Sequence, residues 1–275
     1  SSGDNYGALI VNSWVNYDGK YFARLFNAGN INFRPYFQRL IELVKSNPND
    51  FSINERLYAA SVANNNADKE AIYKALIQDE KTQGDWRAYN NLGAMRLNDY
   101  YQTGNTSSLD EAINYLTKAD AISPNNGIIL NNFAMAEFLK GNVTEARAKF
   151  EASEKATVYA VNQDYVKGMY YIIDGDYVKS TQFLGSRSCD YNTALVQILN
   201  KDYAAAKTTL DCIQNVDAKT SYLKAVLAAR MKDETAVYSN LGNAISLDAS
   251  YKKTAKRDAE FKKYRHSETF KNLVK

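Results

Sequence analysis

The side chains best able to do chemistry are few. The chain has two cysteines, Cys189 and Cys212, and one histidine, His266. A lone histidine beside Arg265 and Glu268 lacks the placed partner that acid–base catalysis needs, and it reads as a solvated side chain. No His or Cys pair has zinc-ligand spacing. No glycine-rich loop ends in a phosphate-binding lysine. Serine and aspartate are plentiful, but no third group completes a triad. Asp79-Glu80 and Asp110-Glu111 fall at helix ends, where carboxylates answer the macrodipole or water. These residue types point away from an enzyme, with no catalytic group, metal or cofactor expected. Amides offer another chemistry. Asn91 and Asn132 occupy equivalent slots, and a side-chain amide both donates to and accepts from a peptide backbone. Asparagine on a first helix would also serve to cap a loop or bond a neighbouring turn.

The cysteines flank a bend near Lys201 at nearly equal distances along the chain. That places them at one end of an antiparallel helix pair, where a bridge is geometrically possible. Two buried, reduced thiols fit the spacing as well. A bridge would imply an oxidising compartment.

The elements that position these groups follow from a repeat. Ala112, Leu116 and Ala119 are answered by Ala146, Phe150 and Ser153, each displaced by 34 residues. Tyr89, Leu92 and Gly93 are answered in turn by Leu130, Phe133 and Ala134. A fixed displacement marks one structural unit used repeatedly, which a generic alanine-rich bundle has no cause to hold. Small residues let two helix backbones approach, and large ones fill the grooves between pairs. Pro124 stops the second helix, because it has no N–H to give. The repeats run over 52–85, 86–126 and 127–160. A fourth is marked by Gly168, Gly175, Ser180 and Leu184, a shortened fifth by Lys201–Leu210, and a sixth covers 218–249. Gly93 to Ala112 is longer than its counterpart, and the turn-rich string Asp99–Ser108 predicts a lengthened loop.

Residues 1–50 are expected to form N-terminal capping helices. Asn5–Val15 and Tyr21–Phe26 read as short helices split at Asp18-Gly19. Pro35 suits the start of a helix to Lys45, with Phe37, Leu40, Ile41 and Val44 on one face. The array spans 51–250, and 251–275 reads as C-terminal capping helices with Phe261, Tyr264, Phe270 and Leu273 on a buried face.

Composition agrees. Of 275 residues 45% are apolar, enough for a core, and only three are proline. The net charge of +3 is too small to imply an anionic partner. Lys252, Lys253, Lys256, Arg257, Lys262, Lys263 and Arg265 are interleaved with acids, which suits a solvated helix face and not nucleic acid. No apolar run reaches the ~18 residues of a membrane span. The chain starts at Ser1 without Met, as expected of a processed or excised form whose targeting segment or lipid anchor has been lost.

Tyr89-x-x-Leu92-Gly93 followed by Ala112-x-x-x-Leu116-x-x-Ala119-x-x-x-x-Pro124 resembles the tetratricopeptide repeat. The resemblance implies an all-α fold, a right-handed α-solenoid of about six helix hairpins capped at both ends. It implies a concave groove lined by the first helices, which holds a peptide or protein partner. The groove slots fall on Arg56; Arg87, Asn90 and Asn91; Asn131, Asn132, Met135 and Phe138; and Tyr165 and Met169. Met135 would serve equally as core. Ile128 and Asn132 stand where some members carry basic residues for a terminal carboxylate, so that activity is not expected. The texture also resembles arrays of envelope-associated proteins of Gram-negative bacteria. This implies a non-enzymatic scaffold, exported to the periplasm or outer membrane and membrane-associated through a lost lipid anchor or a partner. A cytoplasmic protein is the alternative. So are a glycan-binding outer-membrane helper and an accessory domain of a larger enzyme.

Overall fold

The computed structural model describes residues 11, 13–18, 21–27, 37–158 and 164–275. Among these the regular structure is helical, as the composition predicts, with an isolated parallel bridge between Asn126 and Val158. The chain divides into two compact units, Asp18–Gln163 and a second made of Ser1–Tyr17 with Asp164–Lys275. The division falls inside the span expected to be one array.

The first unit contains α1 (Phe37–Ser46), α2 (Ile53–Val62), α3 (Asn66–Gln78), α4 (Trp86–Thr103), α5 (Thr106–Ile122), α6 (Gly127–Lys140) and α7 (Val143–Glu154). Adjacent helices pair as α2/α3, α4/α5 and α6/α7, and the second helix of one pair packs on the first of the next. Helix α1 lies on α2 and α3, burying Ile41 and Val44. Phe37 is more exposed than its place on the apolar face suggests. Local chemistry starts α2 to α6. Ser52 and Glu55 form a reciprocal capping box on α2, and Asn65, Asp85, Asn105 and Asn126 cap α3 to α6 with their side chains. Such caps satisfy N–H groups that have no partner within the helix.

The second unit contains α8 (Asp164–Asp174), α9 (Tyr177–Leu184), α10 (Tyr191–Leu199), α11 (Tyr203–Asp211), α12 (Ala218–Met231), α13 (Glu234–Leu247), α14 (Tyr251–Arg257) and α15 (Glu268–Leu273). These pair in the same way through α13. The C-terminal elements then pack back on α12 and α13, burying Phe261, Phe270 and Val274.

Close approach within a pair depends on its small residue. A Cβ on Gly93 would lie 2.7 Å from Leu116 Cγ, and one on Gly168 would lie 2.4 Å from Leu184 Cγ. Ser180 Oγ also donates to the Gly168 carbonyl at 2.7 Å, tying α9 to α8. The small–large alternation in the sequence thus sets the separation of the helices.

Two expectations need correction. Asp99–Ser108 is not a lengthened loop. Helix α4 continues to Thr103 and α5 begins at Thr106, so the added residues extend the helices. Gly104 takes a left-handed φ of 71° and Asn105 caps α5, so two residues make the whole turn. Tyr21–Phe26 is not a helix either. It starts as a turn, passes Ala23 at a φ of 53°, and runs on without regular structure. Of the helix expected over Asn5–Val15, residues 11, 13 and 14 are helical, and Asn5–Ile10 and Asn12 lie outside the described residues. Gly19 and Pro35 lie outside them too.

Cys189 and Cys212 are joined in a disulfide, with Cα atoms 5.0 Å apart. The bond ties the approach to α10 to the end of α11.

Two stability measurements check this packing. Gly168→Ala should lower the midpoint of urea unfolding, since crowding of about 1–3 kcal/mol outweighs a helix-propensity gain of at most about 1 kcal/mol. Gly84→Ala meets nothing within 4 Å and should leave the midpoint unchanged or raise it. Replacing both cysteines by serine should cost about 3 kcal/mol for a closed loop of this size, read as a lower unfolding temperature that reductant lowers no further.

Candidate functional site

The same small residues fix which side chains reach the opposite face. Two positions before Gly93 stands Asn91, and two before Ala134 stands Asn132. Two before Ala194 stands Asn192, and two before Ser221 stands Lys219. All four bond the main chain of a non-helical segment in their own unit.

In the first unit that segment is Tyr21–Phe26. The Phe26 N–H donates to Asn91 Oδ1 at 2.7 Å, and Asn91 Nδ2 donates to the Phe26 carbonyl at 2.9 Å. One amide thus satisfies both main-chain groups of one residue, as a neighbouring β-strand would. Asn132 Nδ2 donates to the Arg24 carbonyl at 2.9 Å and to Asn90 Oδ1 at 3.1 Å. Asn90 Nδ2 donates onward to Asn91 Oδ1 at 3.2 Å. The three amides form one chain of bonds in a buried place, where each bond strengthens its neighbours. Burial pushes the Tyr73 hydroxyl up to about 12, against the opposing effect of its hydrogen bond with Asn91.

Aromatic contacts seat the rest. Phe22 is buried and its ring lies 5.3 Å from that of Tyr101. Phe26 meets Trp86 edge-on at 4.9 Å, and the Arg87 guanidinium lies 5.7 Å from the centre of the Phe26 ring. Arg87 is held for this by Asp85, through Nε at 2.9 Å, and by Asn54 at 2.9 Å. Such edge and cation contacts add to the area buried.

The second unit repeats the device. Asn192 Nδ2 donates to the Asn16 carbonyl at 2.6 Å, and the Asn16 N–H donates to Asn192 Oδ1 at 2.8 Å. Asn192 also donates to the Tyr165 hydroxyl at 3.2 Å, which donates to Asp190 at 2.7 Å. Asp190 in turn caps α10. Lys219 Nζ donates to the Val15 carbonyl at 2.8 Å, and burial holds its pKa below the usual lysine range. Trp14 and Val15 are buried beside it. A hollow of about 190 Å³ lies here, lined by Trp14, Tyr191, Tyr222, Tyr251 and Asp248 among others.

The structure distributes the sequence-predicted slots unevenly. Asn91, Asn132 and Arg87 meet on Tyr21–Phe26, and Asn90 links the two amides. Asn131 and Met135 are buried and Phe138 is half-buried on the same helix, α6. Arg56 is buried and pairs with Asp79 at 3.2 Å, without contact to this segment among its hydrogen bonds. Tyr165 and Met169 belong to the second unit, where Met169 is core. Asn192 and Lys219 were not among the expected slots. Their register was readable: both stand two places before a small helix residue, but the shortened fifth repeat hides the spacing. Among the described residues no cluster of three metal-ligating side chains occurs, and no helix is long and apolar enough to cross a membrane.

Asn192→Leu keeps the volume and removes both bonds to Asn16, leaving two main-chain groups unpaired at a cost of about 1–3 kcal/mol. The expected result is a lower thermal midpoint together with faster hydrogen exchange at the Asn16 amide. An unchanged Asn16 exchange rate would show that the amide does not hold the segment. No family model matches this sequence, and no curated protein matches it either.

Proposed function

We propose that this chain is a non-enzymatic protein–protein interaction scaffold, built as a tetratricopeptide-type solenoid of about six hairpins, that grips an extended polypeptide in a groove lined by its first helices. The observation that carries this reading is the pair of hydrogen bonds between Asn91 and the N–H and carbonyl of Phe26. It is peptide recognition carried out within one molecule. Main-chain bonding of this kind tolerates many sequences, and pockets for alternate side chains supply selectivity. The recurrence of the amide at Asn132 and Asn192, in register with the packing residues, supports a repeated peptide-holding role. Within the first unit, Asn131, Met135 and Phe138 are proposed as walls of that groove.

Placement in a bacterial envelope complex rests on the resemblance of the repeats. The Cys189–Cys212 bridge supports an oxidising compartment. A second reading, glycan binding, is favoured by one feature, the hollow walled by Trp14, Tyr191, Tyr222 and Tyr251.

The test is recovery of binding partners by cross-linking and affinity capture, with wild type against Asn91→Ala/Asn132→Ala. A partner taken by wild type and lost with the double variant supports the groove. Equal recovery with correct folding counts against it. Saturable binding of oligosaccharide that is lost in Tyr251→Ala would favour the second reading.

A further inference from the structure

Arg56 stands apart from the amide face, and its surroundings give it another task. We propose that Arg56 is the floor of a binding site for a small carboxylate, an acid with a short aliphatic tail, set between α1, α2 and α3. The site goes beyond the scaffold reading and does not depend on it.

Two observations lead there. The first is a buried cation with donors to spare. Arg56 is 2% exposed. Its Nη1 donates to Asp79 Oδ2 at 3.2 Å. Its Nε and Nη2 are buried and have no hydrogen-bond partner among the described residues. In a guanidinium these two N–H groups lie side by side and point the same way, a fork that matches the two oxygens of a carboxylate. The chain makes this match elsewhere. Arg87 gives the same edge to Asp85, with Nε at 2.9 Å, and Arg230 gives it to Glu260, with Nε at 3.0 Å. Buried donors on a charged group are costly to leave unpaired, and they call for a partner.

The second is a hollow against the same side chain. It measures about 110 Å³ and is walled by Val44, Pro48, Ala71, Ile72 and Ala75, with Arg56 and Lys45 as its charged lining residues. Asp79, which holds the other end of the guanidinium, does not line it. Val44, Ile72 and Arg56 are buried, whereas Lys45 and Ala71 are exposed. The hollow therefore opens beside Lys45 and Ala71 and ends at Arg56. Lys45 reaches from α1 to Asp68 on α3 at 2.6 Å. Its side chain is 42% exposed, on a long and flexible stem, so it gives way to an entering ligand.

Size and wall chemistry choose the ligand. The volume is far below the roughly 300 Å³ at which drug-sized sites begin, so the guest is small. The fork asks for two coplanar oxygens that share a negative charge. The apolar walls refuse further oxygens, and a phosphate would press its remaining ones unpaired against Val44 and Ile72. A short aliphatic acid satisfies both demands, with its carboxylate on Arg56 and its tail against Val44, Ile72 and Ala75. Lys45 at the rim adds to the pull on an anion, tempered by Asp68 and Asp79.

The experiment titrates the full chain with sodium butyrate at fixed ionic strength, read by calorimetry and by thermal unfolding. Saturable binding with a Kd of about 1 mM or tighter is expected, together with a raised unfolding midpoint. Butanamide, which has the same shape without the charge, should do neither, and phosphate should not compete. Arg56→Lys keeps a cation but loses the fork, and should weaken binding at least about tenfold. If that variant fails to fold, Ala75→Leu provides the second test. It fills the hollow from its wall and leaves Arg56 in the chain, so binding should be lost while unfolding stays cooperative. Absence of saturable binding overturns the proposal, as does equal binding of butanamide or binding unchanged in Ala75→Leu. Phosphate bound in preference to butyrate overturns the choice of a carboxylate. Partner capture that depends on Asn91 and Asn132 is a separate measurement, so failure here leaves the scaffold standing.

Discussion

The contact on which the structure turns is the approach of one helix backbone to the side chain of its partner at a residue without bulk. Gly93 against Leu116 and Gly168 against Leu184 leave no room for a Cβ. Once that contact is made, rotation of the first helix about its axis is fixed. Asn91, two residues earlier, must then face away from the second helix. The face that bonds the non-helical segment is therefore a by-product of packing within the hairpin. The same logic in the second unit puts Asn192 two places before Ala194 and Lys219 two before Ser221.

The amides in these positions solve a problem that apolar residues cannot. A segment without helix or strand must still satisfy its N–H and carbonyl groups when buried. Asn91 and Asn192 do this with one side chain each, matching donor to acceptor and acceptor to donor. Both amides are themselves buried, which raises the cost of losing either bond. Burial of Phe22 and bonding of Phe26 thus depend on each other: the ring brings the main chain to the amide, and the amide makes burial of that main chain tolerable.

Much of this was legible in the sequence. The displacement of Ala112, Leu116 and Ala119 onto Ala146, Phe150 and Ser153 gave the hairpins, and the Asn slots came from the resemblance to the tetratricopeptide repeat. Two things were not legible. Asp99–Thr103 carries turn-forming residues, yet continues α4 because Leu97 and its neighbours are already committed to a packed helix. Tertiary packing overrides local propensity there. Tyr21–Phe26 looks helical by apolar spacing, but its conformation is dictated by residues far along the chain. Asn91 and Asn132 hold its main chain in a form that no local signal announces. Asn192 was hidden for a simpler reason, since the shortened repeat breaks the count that exposes Asn132.

The amide clasp on the Phe26 main chain has no formal charge, unlike the Arg87 contact with its ring. Asn91 and Asn132 neither gain nor lose a proton across the range in which proteins stay folded, and Debye screening has nothing there to weaken. A carboxylate or ammonium in the same place would tie the grip to acidity and ionic strength. With carboxamides, the main-chain part of the grip keeps its strength in dilute and briny media alike.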